Sequence, residues 1–96
     1  MPSRRVTPEV ENSLSRLLAR MVTDIVKDPS RVTLKVESSP HRLVIRFSTA
    51  ESDSGRVIGA RGKTIKAIQE VLEASARTQG VRVELYYEND RRHHRA

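Results

Sequence analysis

The first apolar residues of the chain recur at spacings of three and four, which is the period of an amphipathic α-helix. Thr7, Pro8 and Glu9 supply an N-cap hydroxyl, a proline at the first helical position and an acid near the positive end of the helix dipole. Pro29 cannot continue helical bonding, so the helix should end near Lys27. Its apolar stripe consists of Val10, Leu14, Leu17, Leu18, Met21, Val22 and Ile25.

Two stretches that follow alternate apolar and polar positions, as half-buried β-strands do, and a third such stretch begins after Gly80. The segment Ser38-Ser39-Pro40-His41 separates the first two and has the composition of a turn. The pattern predicts an antiparallel hairpin, followed later by one more strand. The inward positions are Val32, Leu34 and Val36 in the first strand, Leu43, Ile45 and Phe47 in the second, and Val81, Val83 and Leu85 in the third.

Helical spacing returns between the second and third strands, but two glycines interrupt it. Ser52, Asp53 and Ser54 are candidate N-caps for a short helix that runs to about Ile58. The segment Gly59-Ala60-Arg61-Gly62 then breaks the helical register. A longer helix follows, with an inward face of Ile65, Ile68, Val71, Leu72 and Ala76, and Gly80 is predicted to cap its C-terminus.

The order of these elements, α-β-β-α-α-β, predicts an α+β fold. A small three-stranded sheet packed on one face by the helices would bury the apolar positions of every element. The length of 96 residues fits one domain, and an apolar fraction of 36% allows only a thin core.

Composition also limits the classes of site. Cysteine is absent, which excludes disulfides, iron–sulfur clusters and cysteine-bound zinc. No apolar run exceeds four residues, so neither a membrane span nor a secretory signal is predicted. We therefore expect a cytoplasmic protein that needs no cofactor and does not insert into membranes.

The basic surplus predicts a polyanionic partner. Lys and Arg number 18 against 12 Asp and Glu, a formal net charge of +6, and nucleic acid is the simplest such partner. Five of the arginines belong to a predicted flexible arm (1–7) and a predicted basic tail (89–96), which flank a domain at 8–88. Without these five, 13 basic residues face 12 acidic ones, so the domain is nearly neutral. The five are Arg4, Arg5, Arg91, Arg92 and Arg95.

One segment concentrates positive charge around two glycines. No acid lies between Asp53 and Glu70, whereas four cations do. Gly59 and Gly62 lack a Cβ atom, so they can form turns closed to other residues and let the backbone approach a ligand closely. The helix that begins at Lys63 directs its unpaired N–H groups toward the same turn, which predicts an anion site. The four cations are Arg56, Arg61, Lys63 and Lys66.

No set of residues supports catalysis. Gly62-Lys63-Thr64 resembles the end of a P-loop, but that motif needs a glycine where this chain has Val57. The adjacent His93 and His94 lack Cys or acidic partners for a metal, and no Ser–His–Asp set stands out. We therefore expect neither an enzyme nor a metal site.

The segment and its neighbours resemble a known family. The pattern Val57-Ile58-Gly59-x-x-Gly62-x-x-Ile65-x-x-Ile68, between a hairpin and a final strand, resembles the KH domain, whose G-x-x-G loop grips the backbone of about four nucleotides. The leading helix and hairpin match the type II arrangement of that fold. The small size and the step Asp28-Pro29 into the first strand are similar to the bacterial KhpA family of RNA-binding proteins, over about residues 8–87.

The resemblance implies a role for each residue of the segment. The implied phosphate grip consists of Gly59, Ala60, Arg61 and Gly62. The cations that would attract phosphates are Arg56, Lys63 and Lys66. The alternative is that these three form only a solvated charged face. The implied apolar floor for bases, for which core packing is the alternative, consists of Val57, Ile58 and Ile65. Phe47 is expected in the core rather than against a base.

The resemblance also implies a function. It indicates a non-catalytic protein that binds single-stranded RNA, as an RNA chaperone or post-transcriptional regulator of small or messenger RNA, and it connects the family with control of the cell envelope. The partners it implies are a second copy of the chain, giving a dimer, or a larger KH protein of the KhpB type, also called Jag or EloR. Two alternatives stay open: a ribosome-associated or assembly factor that binds ribosomal RNA, and a KH-fold dimerisation adaptor that acts mainly through a protein partner.

Overall fold

The computed structural model describes residues 5–90, and its elements follow the predicted order. The order α-β-β-α-α-β confirms the α+β class and the type II KH arrangement. The helices are α1 (Pro8–Ile25), α2 (Ser54–Ile58) and α3 (Lys63–Thr78), and the strands are β1 (Thr33–Ser38), β2 (Arg42–Ser48) and β3 (Arg82–Tyr87). Short 3₁₀ turns occupy Pro29–Arg31, Glu51–Asp53 and Ala60–Gly62.

The three strands form one sheet in the order β1-β2-β3. β1 and β2 are antiparallel, with Val36 opposite Ile45, whereas β2 and β3 are parallel, with Ile45 beside Leu85. A parallel pair needs a crossover connection, and here the crossover consists of α2, the glycine-containing turn and α3. The segment predicted to bind an anion is therefore held between two strands that are hydrogen-bonded neighbours.

The helices cover one face of the sheet and enclose an aliphatic core. Leu14, Leu18 and Val22 of α1 are fully buried in it. Phe47 lies in this core, as predicted, and its ring stacks on that of Tyr87 with 4.7 Å between the ring centroids. The core also contains Leu43, Ile45, Val57, Ile65, Ile68, Leu72, Ala76, Val81 and Val83.

Val71 does not belong to the buried face of α3, and its prediction is wrong: the residue is 49% exposed. Helical residues advance by about 100° each, so Val71, six positions after Ile65, lies about 120° away from it around the helix. Leu72, one position later, returns to within about 20° of Ile65 and is fully buried. The apolar stripe is therefore too narrow to include Val71.

The ends of the two long helices confirm the predicted capping. The Thr7 hydroxyl accepts a hydrogen bond from the Val10 N–H at 3.2 Å, as an N-cap does. At the end of α3, Gly80 has a φ of 75°, and the Val81 N–H donates to the Ala76 carbonyl at 3.1 Å. This is a Schellman motif, in which a left-handed glycine lets the chain leave the helix and turn back.

Residues on both sides of the predicted domain contact it. The Val6 N–H donates to the Pro40 carbonyl at 2.6 Å. The Asn89 side chain binds both backbone groups of Thr49, at 3.0 and 3.1 Å. The division into arm, domain and tail stays a prediction, because much of the arm and tail lies outside the described residues. The basic and histidine residues there are Arg4, Arg91, Arg92, His93, His94 and Arg95.

Candidate functional site

The glycine-containing turn between α2 and α3 has a backbone that few residues adopt. Gly59, Arg61 and Gly62 have φ of 75°, 57° and 76°, so three of its four residues have positive φ. The Gly62 N–H donates to the Gly59 carbonyl at 3.1 Å and closes the turn. The prediction that these glycines permit a turn closed to other residues is confirmed.

Gly59 and Arg61 have different reasons for their conformations. A Cβ atom on Gly59 would lie 2.7 Å from the Cβ of Thr64 and 2.9 Å from its backbone nitrogen, so the close approach of α3 requires glycine there. Arg61 has a positive φ although it carries a side chain, at a cost of about 1–2 kcal/mol for an L-residue. The result is an exposed guanidinium group at the tip of the turn.

The N-terminus of α3 lies at the same turn. Gly62 is its N-cap and offers no side chain, and the first turn of the helix contains no acid. The first N–H groups of this 16-residue helix are therefore not bonded by a capping side chain, and Lys63 stands at the positive end of the helix dipole. Backbone donors, dipole and cations thus converge on one small volume.

A buried carboxylate fixes α2, which leads into the turn. Asp53 is 1% exposed, and its oxygens accept the Lys27 N–H at 2.9 Å and the Asp28 N–H at 3.1 Å. Arg56 forms an ion pair with it at 3.4 Å. The hydrogen bond from Lys27 is the main reason that the pKa of Asp53 lies below its usual value, and burial opposes this effect. The carboxylate therefore stays charged at neutral pH.

This arrangement corrects the predicted cap of α2. Asp53 occupies the N-cap position, as one of the three candidates, but no side chain caps that helix, so the predicted capping hydrogen bond is wrong. The physical reason is that the N–H groups of Lys27 and Asp28 have no helical partner after α1 ends, and they need an acceptor. Asp53 supplies it, and the sequence contains no local pattern that pairs positions so far apart.

A groove of about 710 Å³ lies between α3 and β3 and reaches the turn. Four of the predicted site residues come together in its lining: Arg61, Gly62, Ile65 and Lys66. Sequence analysis misses the other lining residues, because their closeness depends on how β3 packs against α3. These are Gln69, Glu73, Val83, Glu84, Leu85, Tyr86, Tyr87 and Asp90.

The remaining predicted site residues do not line the groove. Val57 is fully buried in the core, and Ile58 is partly buried and packs against it, as in the alternative of core packing. Ala60 and Lys63 are exposed at the turn and the helix start. Ile65 fits both the core-packing and the base-floor interpretation. It is 9% exposed and belongs to the core, and it also lines the groove.

The two signs of charge in the groove come from different elements. Its cations, Arg61 and Lys66, belong to the turn and to the start of α3. Its acids belong to the later part of α3, to β3 and to the segment after β3, and they are Glu73, Glu84 and Asp90. The Gln69 amide donates to Glu73 at 3.2 Å. The groove wall beyond the turn thus presents carboxylate acceptors rather than cations.

Tyr87 connects the groove to the core. Its ring packs on Phe47, and its hydroxyl is hydrogen-bonded to the Thr49 hydroxyl at 2.6 Å. Burial raises the pKa of Tyr87 above the ordinary 10.0, and the bond to Thr49 partly offsets that rise. The phenol is therefore a neutral hydrogen-bonding group at neutral pH.

Other site chemistry is scarce in the part of the chain that the structure describes. Within residues 5–90, no group of three or more His, Cys, Asp or Glu side chains is placed to hold a metal ion. No helix in that range is both long enough and apolar enough to cross a membrane. The turn and the groove are therefore the candidate site.

Comparison with known proteins finds relatives along most of the chain. A model of the family described as KhpA/KhpB, KH domain, matches residues 15–86. The RNA-binding protein KhpA of Chlamydia pneumoniae is 35% identical over 72 residues, which cover 75% of this chain and 92% of that protein. The protein of the same name from Leifsonia xyli subsp. xyli is 36% identical over 72 residues, with coverage of 75% and 95%.

Among solved structures, the chain is similar to Era in complex with MgGDPNP and nucleotides 1506–1542 of 16S ribosomal RNA, with a TM-score of 0.55 and 16% identity. The match covers 91% of this chain and 35% of the Era chain. At this identity the likeness concerns the fold alone. It nevertheless reaches across nearly all the described elements.

Proposed function

This chain belongs to the KhpA/KhpB family of KH domains, and from this we propose that it binds single-stranded RNA without catalysing a reaction. Its relatives in Chlamydia and Leifsonia are named for RNA binding. One observation carries the proposal: at the turn 59–62, a backbone open to close approach, an uncapped helix N-terminus and exposed cations meet beside a groove.

The turn would hold RNA by its phosphates. KH domains grip the backbone of about four nucleotides with the G-x-x-G loop. In this chain, the N–H groups at the start of α3 and the side chains of Arg61 and Lys63 offer donors and positive charge at one end of the groove. Because each neutralised phosphate releases counterions, affinity should fall as the salt concentration rises.

The groove would take bases rather than phosphates. Ile65 and Leu85 supply apolar surface, whereas Glu73 would repel a phosphate beside it. Carboxylates accept hydrogen bonds, and the exocyclic amino groups of adenine, cytosine and guanine can donate them. Uracil has no amino group and can donate only through its ring N3–H. We therefore expect uridine-rich RNA to bind most weakly.

One short groove gives modest affinity, so the protein would work as part of a larger assembly. A second copy of the chain, or a KhpB-like KH protein, would place two grooves on one RNA and raise avidity without new contacts. We place this activity in the cytoplasm, where small and messenger RNA are present. The alternatives differ in what they bind: a ribosome-associated factor would bind chiefly ribosomal RNA, and an adaptor would keep its protein partner after RNA binding is lost.

The double variant A60D/R61D tests the proposal. It puts two negative charges where the phosphate is placed, and aspartate tolerates the left-handed conformation of Arg61 better than most residues do. We expect a folded protein that has lost single-stranded RNA binding, measured by fluorescence anisotropy at several salt concentrations. The matched control A74D/R77D changes the same residue types at exposed positions of α3 outside the groove, and it should bind as wild type does.

A folded A60D/R61D protein with unchanged affinity and salt dependence would refute the assignment of the turn. Equal losses in both variants would mean that overall charge, rather than the turn, determines binding. Crosslinking the wild-type protein to RNA in cells then separates the two nucleic-acid hypotheses. A pool made mostly of ribosomal RNA would favour the ribosome-associated factor.

A further inference from the structure

The face of the sheet that points away from the helices is basic. We call it the outer sheet face, and alternation along the three strands places the polar positions of each strand on it. Its four cations outnumber its two acids, Glu37 and Glu84. This excess is notable in a domain that is nearly neutral between its two basic ends. The four cations are Lys35, Arg42, Arg46 and Arg82.

The register of the sheet places these cations directly opposite one another. Lys35 pairs with Arg46 across β1 and β2, and Arg42 pairs with Arg82 across β2 and β3. Like charges in directly opposite positions destabilise a sheet. Arg42 is relieved by an ion pair with Glu84 at 3.4 Å, but Lys35 and Arg82 form no ion pair with any of the residues 5–90. A bound polyanion would remove this repulsion.

An aromatic ring lies beside the cations and connects them to the groove. Arg46 and Tyr86 are neighbours in register, and the guanidinium carbon of Arg46 lies 4.8 Å from the centroid of the Tyr86 ring. The Tyr86 hydroxyl donates to Glu84 at 3.1 Å, which fixes the orientation of the ring. Tyr86 also lines the groove, because β3 is the edge strand between the groove and the outer sheet face.

We propose that the outer sheet face is a second contact surface for the same RNA. The strand leaving the groove would cross the edge at β3, place a base against Tyr86 and Arg46, and bring its phosphates to Lys35 and Arg82. Aromatic rings and arginine planes are the surfaces on which proteins stack unpaired bases, and phosphates follow cations. This inference rests on the proposed function and extends it from a short segment of RNA to a longer one.

The variant K35Q/R46Q/R82Q tests this surface without touching the turn. Two RNAs of the same composition, one of about four and one of about twelve nucleotides, are titrated by anisotropy and by amide NMR, which detects weak binding as well. We expect unchanged affinity for the short RNA and a loss of about fivefold or more for the long one. The salt slope should flatten by about 1.4, because two phosphate contacts, those of Lys35 and Arg82, are lost. The control R16Q/R20Q/R77Q removes the same charge from exposed positions of the helices and should leave both affinities unchanged.

Each outcome decides the question. Wild-type affinity of the variant for the long RNA would overturn the proposal, and so would an equal loss in the control, because bulk charge would then explain it. RNA affinity that is unchanged while an acidic protein partner is lost would assign the face to a protein instead. The proposed function is tested separately by A60D/R61D. It would be refuted if that variant still bound the short or the long RNA with wild-type affinity.

Discussion

The side chain of Asp53 accepts a hydrogen bond from the backbone N–H of Lys27 at 2.9 Å, across 26 positions of sequence. Lys27 follows α1 and Asp53 precedes α2, so this carboxylate fixes the end of the first helix against the helix that leads into the turn. Because Asp53 is buried, water competes little for the bond. The position of the turn therefore depends on a residue that does not line the groove.

We predict that D53N lowers the melting temperature by several degrees and weakens RNA binding. Asparagine keeps one carbonyl acceptor but loses the charge that pairs with Arg56 and the second acceptor for a backbone N–H. Thermal unfolding by circular dichroism and RNA titration measure the two effects. The exposed D24N is the matched control, and equal melting temperatures for the two variants would contradict the role of Asp53.

Acid should remove the same contribution from the wild-type protein. The folded-state pKa of Asp53 lies below the ordinary 3.8, so its stabilising effect is complete at neutral pH and is lost as the pH falls from 3.8 through the folded-state value. The difference in melting temperature between wild type and D53N should therefore shrink as the pH is lowered through this window. A difference that stays constant there would show that the charge of Asp53 does not contribute.

Glycine-to-alanine changes should have opposite effects at two positions of the crossover. In G59A the new methyl group would overlap Thr64 and the positive φ would be strained, so we expect a loss of about 1–2 kcal/mol or more and weaker RNA binding. In G55A the methyl group meets open space within α2, and we expect a gain of about 0.5–1 kcal/mol with RNA affinity unchanged. Urea unfolding of both variants measures the change in the free energy of unfolding. If G59A and G55A lost similar amounts of stability, the explanation given for Gly59 would be contradicted.

Replacing Arg61 with glycine should separate stability from binding. R61G removes the strain of a side chain on a left-handed backbone, which should raise the free energy of unfolding by about 1–2 kcal/mol. The greater backbone entropy of glycine in the unfolded chain should reduce this gain by about 0.5–1 kcal/mol. We therefore expect unchanged or slightly higher stability together with weaker RNA binding. The control R77G, in the last turn of α3, should lose up to about 1 kcal/mol and keep its affinity. Parallel changes in stability and affinity in R61G would argue against a direct contact of Arg61 with RNA.

The acidic wall of the groove should determine base preference. E73Q removes a charge that repels phosphates, so we expect affinity for every RNA to rise, by less than about fivefold because the half-buried carboxylate is still partly screened by solvent. At the same time, the difference in affinity between RNAs rich in amino-bearing bases and uridine-rich RNA should become smaller. Anisotropy with adenosine-, cytidine- and uridine-rich RNAs measures both effects, and E70Q on the exposed side of α3 serves as control. An unchanged preference in E73Q would remove Glu73 from base recognition.

Local chemistry made most of the fold predictable. The Thr7 hydroxyl and Pro8 set the start of α1, and Gly80 sets the end of α3, because each acts on its own helix terminus. The strict alternation in β2 buries Leu43, Ile45 and Phe47 in any sheet with one covered face. These predictions require no knowledge of which segments become neighbours.

The groove, in contrast, could not be predicted without knowing which segments become neighbours. Strand β3 could pair with either strand of the hairpin and in either direction, and the observed parallel pairing with β2 makes β3 the edge strand, so that Glu84 and Leu85 line the groove beside α3. The buried carboxylate of Asp53 escaped prediction for the same reason, since its partners lie on the far side of the hairpin in sequence. The turn was predictable because its glycines and cations lie within a few residues of one another in the sequence.

The parallel pairing of β2 with β3 also determines when the site comes into existence. A ribosome releases the turn and α3 before β3, so for some time the nascent chain has its cations but lacks one entire wall of the groove. That wall forms only when β3 docks beside β2 and completes the sheet. If RNA binds in the groove as proposed, this binding requires completed folding, because an unfinished chain lacks the wall that β3 supplies.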